Sequence, residues 1–226
     1  MSAFYRVGEA VLKPLTHAIY RPRISGRDNV PLTGGVILAS NHLSFIDSFA
    51  IPLAAPRQVS FLAKADYFTG SGPVASMRKA FFESVGAIPV DRESSRAAQE
   101  SLDLALEVLR AGRAFGIYPE GTRSRDGLLY RGRTGVAWLS LTAGVPVVPV
   151  GLRGTEDIQP VGAHWPRLAK VSVAFGPPIH PEAYAGMPQG RARRQLTDDV
   201  MDAIAQLSGQ ARADSYNSPP GTTADS

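Results

Sequence analysis

The chain has 226 residues, enough for one domain that buries its own core, and with no cysteine it can hold neither disulfides nor thiolate nucleophiles nor cysteine-bound metal. Its 24 basic residues against 20 acidic ones leave a formal charge of +4, a modest excess that favours an anionic partner without naming one. No apolar run approaches the roughly 18 residues of a spanning helix and the start lacks a small-residue cleavage site, so a cytoplasmic chain, or one on a membrane's cytoplasmic face, is expected.

In chain order, residues 3–19 place Phe4, Val7, Val11, Leu15 and Ile19 at helical spacing, with Arg6, Glu9, Lys13 and His17 elsewhere on the wheel. The pattern predicts an amphipathic helix. It should bend or break near Pro14, which has no N–H to offer the carbonyl of Ala10. Arg21 and Arg23 follow, and basic residues beside an apolar stripe suit an anionic lipid surface; the same stripe suits the protein's own core equally well. Short apolar runs at 36–39, 59–63, 87–90, 114–118, 145–150 and 171–175 predict strands, and helical patterns fall between them at 47–55, 74–84, 95–111 and 135–143. In the third of these helices Ala98, Leu102, Ala105, Leu106 and Leu109 form a stripe, and Gly112 supplies a natural stop. A last helix, 190–207, carries Leu196, Val200, Ile204 and Leu207. Beyond Ser208 the Ser, Pro, Gly, Thr and Asp content predicts disorder. Strand-helix alternation argues for an α/β fold, a single domain with a largely parallel central sheet covered by helices.

Ligands of open α/β sheets bind beyond the carboxyl ends of the strands, where three loops hold reactive chemistry. The first is Asn41-His42-Leu43-Ser44-Phe45-Ile46-Asp47. A carboxylate on one ring nitrogen of a histidine leaves the other free to take a proton from a hydroxyl. Five residues correspond to about 140° around a helix, so a His42–Asp47 contact needs a loop-to-helix turn with Asp47 in the first helical turn. The plain alternative is a loop histidine bonded to backbone and an acid favoured by the helix dipole. The second loop, Gly86-Ala87-Ile88-Pro89-Val90-Asp91-Arg92, ends on an arginine suited to clamping a phosphate. The third, Tyr118-Pro119-Glu120-Gly121-Thr122-Arg123-Ser124-Arg125-Asp126-Gly127, has glycines that allow close approach, arginines for an anion and Glu120 as hydroxyl acceptor. Singly, each is also what a solvated turn looks like. Jointly they ask for a substrate with a phosphate and a hydroxyl to be deprotonated.

These blocks, with Val145-Pro146-Val147-Val148-Pro149-Val150-Gly151 as a fourth in the same order, resemble the glycerolipid acyltransferase family that includes the 1-acyl-sn-glycerol-3-phosphate (lysophosphatidic acid) acyltransferases. The resemblance covers about residues 25–180. It implies that His42 is the general base, Asp47 orients it, Arg92, Glu120, Gly121, Thr122 and Arg123 bind glycerol phosphate, and Pro149 helps shape the acyl site. Lys64 stands where the family often has a basic residue and joins the substrate-binding candidates. The implied reaction moves a fatty acyl group from acyl-CoA or acyl-carrier protein to the sn-2 hydroxyl of 1-acyl-sn-glycerol 3-phosphate, giving phosphatidic acid. The same blocks would serve glycerol 3-phosphate or another lipid hydroxyl. No metal and no cofactor beyond the thioester co-substrate is implied. The implied partners are a lysophospholipid, an acyl thioester, a membrane surface and an acyl-carrier protein, and not nucleic acid. Many family members have a longer hydrophobic N-terminus. The expected organisation here is a membrane-associating amphipathic segment at 1–24, a catalytic domain at 25–207 and a disordered tail at 208–226, on the cytoplasmic face of the cell membrane as a peripheral or monotopic protein.

Two other classes compete. Gly70-Ser71-Gly72-Pro73-Val74-Ala75 matches a dinucleotide-binding fingerprint with Asp91 about 20 residues on, which suggests a nicotinamide oxidoreductase, but Tyr67-Phe68-Thr69 separates the glycines from the preceding strand. A non-catalytic lipid-surface module would explain the basic loops and not the His42–Asp47 pair. Ser44 invites a hydrolase reading, yet the chain has no Gly-x-Ser-x-Gly elbow. His17, His42, His164 and His180 have no metal-ligand spacing.

Overall fold

The computed structural model describes residues 14, 16–64, 69, 72, 75–76, 87–90, 97–160 and 167–218. The strands are β1 (Arg23–Ser25), β2 (Val36–Ser40), β3 (Val59–Lys64), β4 (Ile88–Val90), β5 (Ala114–Ile117), β6 (Val147–Arg153) and β7 (Ser172–Phe175). The helices that concern the site are α1 (Asp47–Ala54), α2 (Ala97–Arg110), α3 (Gly135–Ala143), α4 (Thr155–Ile158) and α5 (Gln189–Ser208). One seven-stranded sheet has the order β1-β7-β6-β2-β5-β3-β4. Every pairing in it is parallel except β6 with β7. The fold is therefore α/β with a mixed sheet, and the antiparallel exception lies toward one edge.

Strand β2 is buried at all five positions, because a central parallel strand must be apolar on both faces. Its pleat divides those side chains. Ile37 and Ala39 join the core under α2, α3 and α5, with Leu109, Leu139, Leu196 and Ile204. Val36 and Leu38 join the opposite core, with Ile51 of α1, Phe61 and Phe175. Helix α2 buries Ala105, Leu106, Val108 and Leu109 on one face, and Gly112 follows it at φ 71, a conformation that glycine adopts without a side-chain clash.

At the N-terminal end, residues 16–20 are helical, and the expected stripe residues Phe4, Val7, Val11 and Leu15 lie outside the described residues. Among the described residues no helix is long and apolar enough to cross a membrane. The helix expected at 74–84 is described only at 75–76, and most of the dinucleotide-like segment, with Asp91, is also outside. Beyond α5, where composition suggests disorder, residues 209–218 are described and run along the body of the protein.

Candidate active site

Strands β2 and β5 are parallel neighbours, with Ala39 opposite Ile117, so the loops after their carboxyl ends emerge side by side. Those loops hold the first and third sequence blocks. The backbone of His42 joins them at both ends: its N–H donates to Glu120 Oε1 at 3.0 Å, and its carbonyl accepts from Ser124 N–H at 2.8 Å.

Helix α1 begins at Asp47, which brings the carboxylate back to the ring five residues earlier. His42 Nδ1 lies 2.8 Å from Asp47 Oδ2, with the His side chain 17% exposed and Asp47 fully buried. The same Oδ2 accepts the N–H groups of Leu43 at 2.7 Å and Ser44 at 2.8 Å, while Oδ1 has no hydrogen-bond partner among the described residues. With Nδ1–H donated to the carboxylate, Nε2 is the acceptor nitrogen of the ring.

Tyr118 lies flat on that ring, centroids 3.8 Å apart and planes 8° from parallel. Its hydroxyl shares a 3.0 Å hydrogen bond with Ser48 Oγ, and Phe61 stacks against it with centroids 5.6 Å apart. Burial pushes the Tyr118 hydroxyl well above the usual phenol range; the charge of Asp47 adds to this and the Ser48 hydrogen bond opposes it. Phe61 can lie there because β5 has a glycine beneath it. A Cβ on Gly116 would stand 2.0 Å from Phe61 Cζ.

Glu120 is fully buried. Both of its oxygens are engaged by backbone, Oε1 by His42 N–H and Oε2 by Tyr130 N–H at 3.0 Å, so it ties the two loops together. Burial pushes its carboxyl up to about 7; the two backbone donors oppose the shift, and the charges of Asp47 and Asp126 add to it. Gly121 turns the chain at φ 81, Thr122 is half-buried and Arg123 is exposed.

Lys64 is the last residue of β3, paired with Val90. Pro149 is buried within β6, opposite Ala39, and its carbonyl accepts from Gly176 N–H at 2.8 Å. Arg92 lies outside the described residues. Among the described residues no cluster of His, Cys, Asp or Glu is suited to a metal.

Sequence reasoning passed over Tyr118 and Asn41. Tyr118 had a signal, an aromatic residue at a strand end directly before the third block. Asn41 had none: it is a fully buried amide that clasps Leu152 in β6 through both its oxygen and its nitrogen, at 2.8 and 3.0 Å, and its nitrogen also reaches Gln210 at 2.7 Å.

Comparison with known proteins adds an independent line. Residues 21–153 match the protein family described as Acyltransferase. The chain is similar to the 1-acyl-sn-glycerol-3-phosphate acyltransferase BAT2, chloroplastic, of Brassica napus, at 31% identity over 148 residues, covering 65% of this chain and 41% of that protein. It is similar to LPAT1, chloroplastic, of Arabidopsis thaliana, at 30% identity, covering 73% of this chain and 45% of that protein. It thus spans less than half the length of either. The 1-acyl-sn-glycerol-3-phosphate acyltransferase of Bacillus subtilis (strain 168) is 26% identical over 82% of this chain and 87% of its own. Among solved structures, the 1-acyl-sn-glycerophosphate (LPA) acyltransferase PlsC from Thermotoga maritima shares the fold, with a TM-score of 0.68 and 24% identity over 90% of this chain and 79% of that one.

Proposed function

Because this chain belongs to the acyltransferase family, we propose that it moves a fatty acyl group from acyl-CoA or acyl-carrier protein to the sn-2 hydroxyl of 1-acyl-sn-glycerol 3-phosphate, giving phosphatidic acid. The observation that carries the reading is the 2.8 Å contact of His42 Nδ1 with a fully buried carboxylate at the carboxyl end of β2. It fixes the ring so that Nε2 faces a proton to be taken.

His42 Nε2 accepts the acceptor's hydroxyl proton as that oxygen attacks the thioester carbonyl, and Asp47 stabilises the imidazolium that forms. The tetrahedral intermediate collapses by breaking the carbon–sulfur bond. The thiolate leaves and takes the proton back from His42, so the ester and the free thiol balance the two substrates. No acyl-enzyme is needed. Gly121, Thr122 and Arg123 receive the acceptor's phosphate, with Lys64 and Arg92 as further cationic candidates and Pro149 at the acyl side.

The acceptor is a membrane lipid, so the proposal extends to location. The segment 1–20 lies at the interface on the cytoplasmic face, with Phe4, Val7, Val11, Leu15 and Ile19 toward lipid and its basic residues toward anionic headgroups. The discriminating experiment offers long-chain acyl-CoA with a panel of acceptors and detects the product by mass. Phosphatidic acid from 1-acyl-sn-glycerol 3-phosphate supports the reading. Turnover confined to glycerol 3-phosphate or to a phosphate-free lipid alcohol overturns the acceptor assignment.

A further inference from the structure

The segment after α5 has no part in that mechanism, yet its contacts concentrate on the loop that carries Arg123. Leu129 N–H donates to the Ala211 carbonyl and Ala213 N–H to the Leu129 carbonyl, both at 2.9 Å, and Arg131 N–H donates to the Ser215 carbonyl at 3.0 Å. A parallel bridge pairs Leu129 with Arg212, whose guanidinium is bonded to Asp202 of α5. Gln210 Nε2 donates to the Gly127 carbonyl at 2.9 Å. A segment whose composition favours disorder is thereby laid along residues 127–131, held by backbone bonds and a single bridge.

Its far end meets the arginines. The Tyr216 ring has the Arg131 guanidinium 5.4 Å and the Arg133 guanidinium 5.7 Å from its centroid, and its hydroxyl accepts from Arg194 Nη1 at 3.3 Å. Asn217 Nδ2 donates to the Arg123 carbonyl at 3.1 Å, and the Asn217 carbonyl accepts from Arg133 Nη2 at 3.4 Å. Arg133 in turn lies across Gly121, where a Cβ would stand 3.1 Å from its Nε, and its N–H donates to the Pro119 carbonyl at 2.8 Å. The partners of Arg131 and Arg133 among the described residues are an aromatic face and carbonyl oxygens. Such neutral partners orient a guanidinium without cancelling its charge.

We propose that residues 210–217 are a positioning strap for acceptor recognition: Tyr216 and Asn217 seat Arg123, Arg131 and Arg133 as one cationic face for the acceptor's phosphate. The inference rests on the reading that the Gly121-Thr122-Arg123 loop meets that phosphate. Its physical basis is preorganisation. Without the strap, the glycine-rich loop and its long side chains must be ordered by the ligand at binding, and affinity falls accordingly.

The test uses the full chain, acyl-CoA and 1-acyl-sn-glycerol 3-phosphate, and compares the Tyr216→Ala/Asn217→Ala double variant with the parent. Losing the ring contacts to Arg131 and Arg133 and the hydrogen bonds to Arg194 and the Arg123 carbonyl should raise the acceptor KM about tenfold. The acyl-CoA KM and the Tm should stay at the parent's values. Tyr216→Phe, which keeps the ring and loses only the hydroxyl, should retain the parent's acceptor KM. An unchanged acceptor KM in the double variant overturns the proposal, as does an equal rise in both KM values with a fallen Tm, the mark of a merely structural segment. Arg123→Ala in the same assay separates the two levels. An acceptor KM insensitive to Arg123 refutes the phosphate reading itself, whereas sensitivity to Arg123 with an insensitive strap refutes the strap alone.

Discussion

Among the described residues the Asp47 side chain makes its hydrogen bonds through one oxygen, so a single atom holds both the His42 ring and the turn that presents it. Replacing His42 by Ala leaves that turn intact and removes the base, and turnover should fall by about 10²–10⁴-fold with the Tm unchanged. Asp47→Asn keeps an oxygen for the two N–H donors and loses the charge beside the imidazolium, and should act in the same direction. Steady-state kinetics on folded variants checks both; near-normal turnover in His42→Ala would end the mechanism. Glu120 makes a separate expectation about pH. Its carboxyl stands at about 7 in the fold against an ordinary 4.5, so the folded chain holds this proton more tightly than the unfolded one. The stability that accompanies the neutral form is fully present below about pH 4.5 and is lost as pH rises through about 7, a difference of up to about 3 kcal/mol. Urea unfolding should therefore show wild type losing more stability than Glu120→Gln between about pH 5 and about pH 8. Parallel losses would mean that another group titrates. The His42–Asp47 contact was legible in the sequence only in part: the spacing and the helix start allowed it, and the resemblance of the four blocks to a known family selected it over a loop histidine and a helix-start acid. The burial of Glu120 and the Tyr118 stack were not, since each depends on which strands become neighbours.

At the scale of elements, the site stands on a column of aromatic rings that begins in the sheet: Gly116 leaves room for Phe61, Phe61 backs Tyr118, and Tyr118 lies on His42. A methyl group at 116 would meet three Phe61 ring atoms at 2.0 to 2.5 Å, and such overpacking costs about 1–3 kcal/mol. Gly116→Ala should thus lower the Tm and also the turnover, although that residue is buried within β5. Phe61→Leu in the same chain should recover part of the Tm while the turnover stays low. Recovery of both together would show that the ring column does not orient the histidine. Most elements could be read from periodicity. The runs at 36–39, 59–63 and 114–118 correspond to β2, β3 and β5, and the patterns at 95–111 and 190–207 to α2 and α5. Those segments bury whole faces, so their spacing is strong. Strand β1 escaped because three residues, Arg-Ile-Ser, contain too little alternation to register. The extended segment beyond α5 escaped because its order comes from backbone bonds to Leu129 and Arg131, which composition does not encode.

For the molecule as a whole, the proposed substrates imply where it would work. Acyl chains cost roughly 0.8 kcal/mol per CH2 to hold in water, so the proposed acceptor and product would reside in the bilayer. Deleting residues 1–20 should abolish binding to anionic vesicles and slow acylation of a vesicle-embedded acceptor while sparing a short-chain, water-soluble one. Vesicle sedimentation with both acceptors assayed in parallel measures this, and unchanged sedimentation would assign the helix to the core. The clasp at Asn41 bears on how the molecule is made. Its side chain waits for Leu152, 111 residues later, and for Gln210, 169 residues later. At ribosomal speeds of roughly 5–20 residues per second, the interval between synthesis of the catalytic turn and of its last anchor is on the order of 10–30 s. A nascent chain therefore carries its base and carboxylate long before the strand end beneath them is locked.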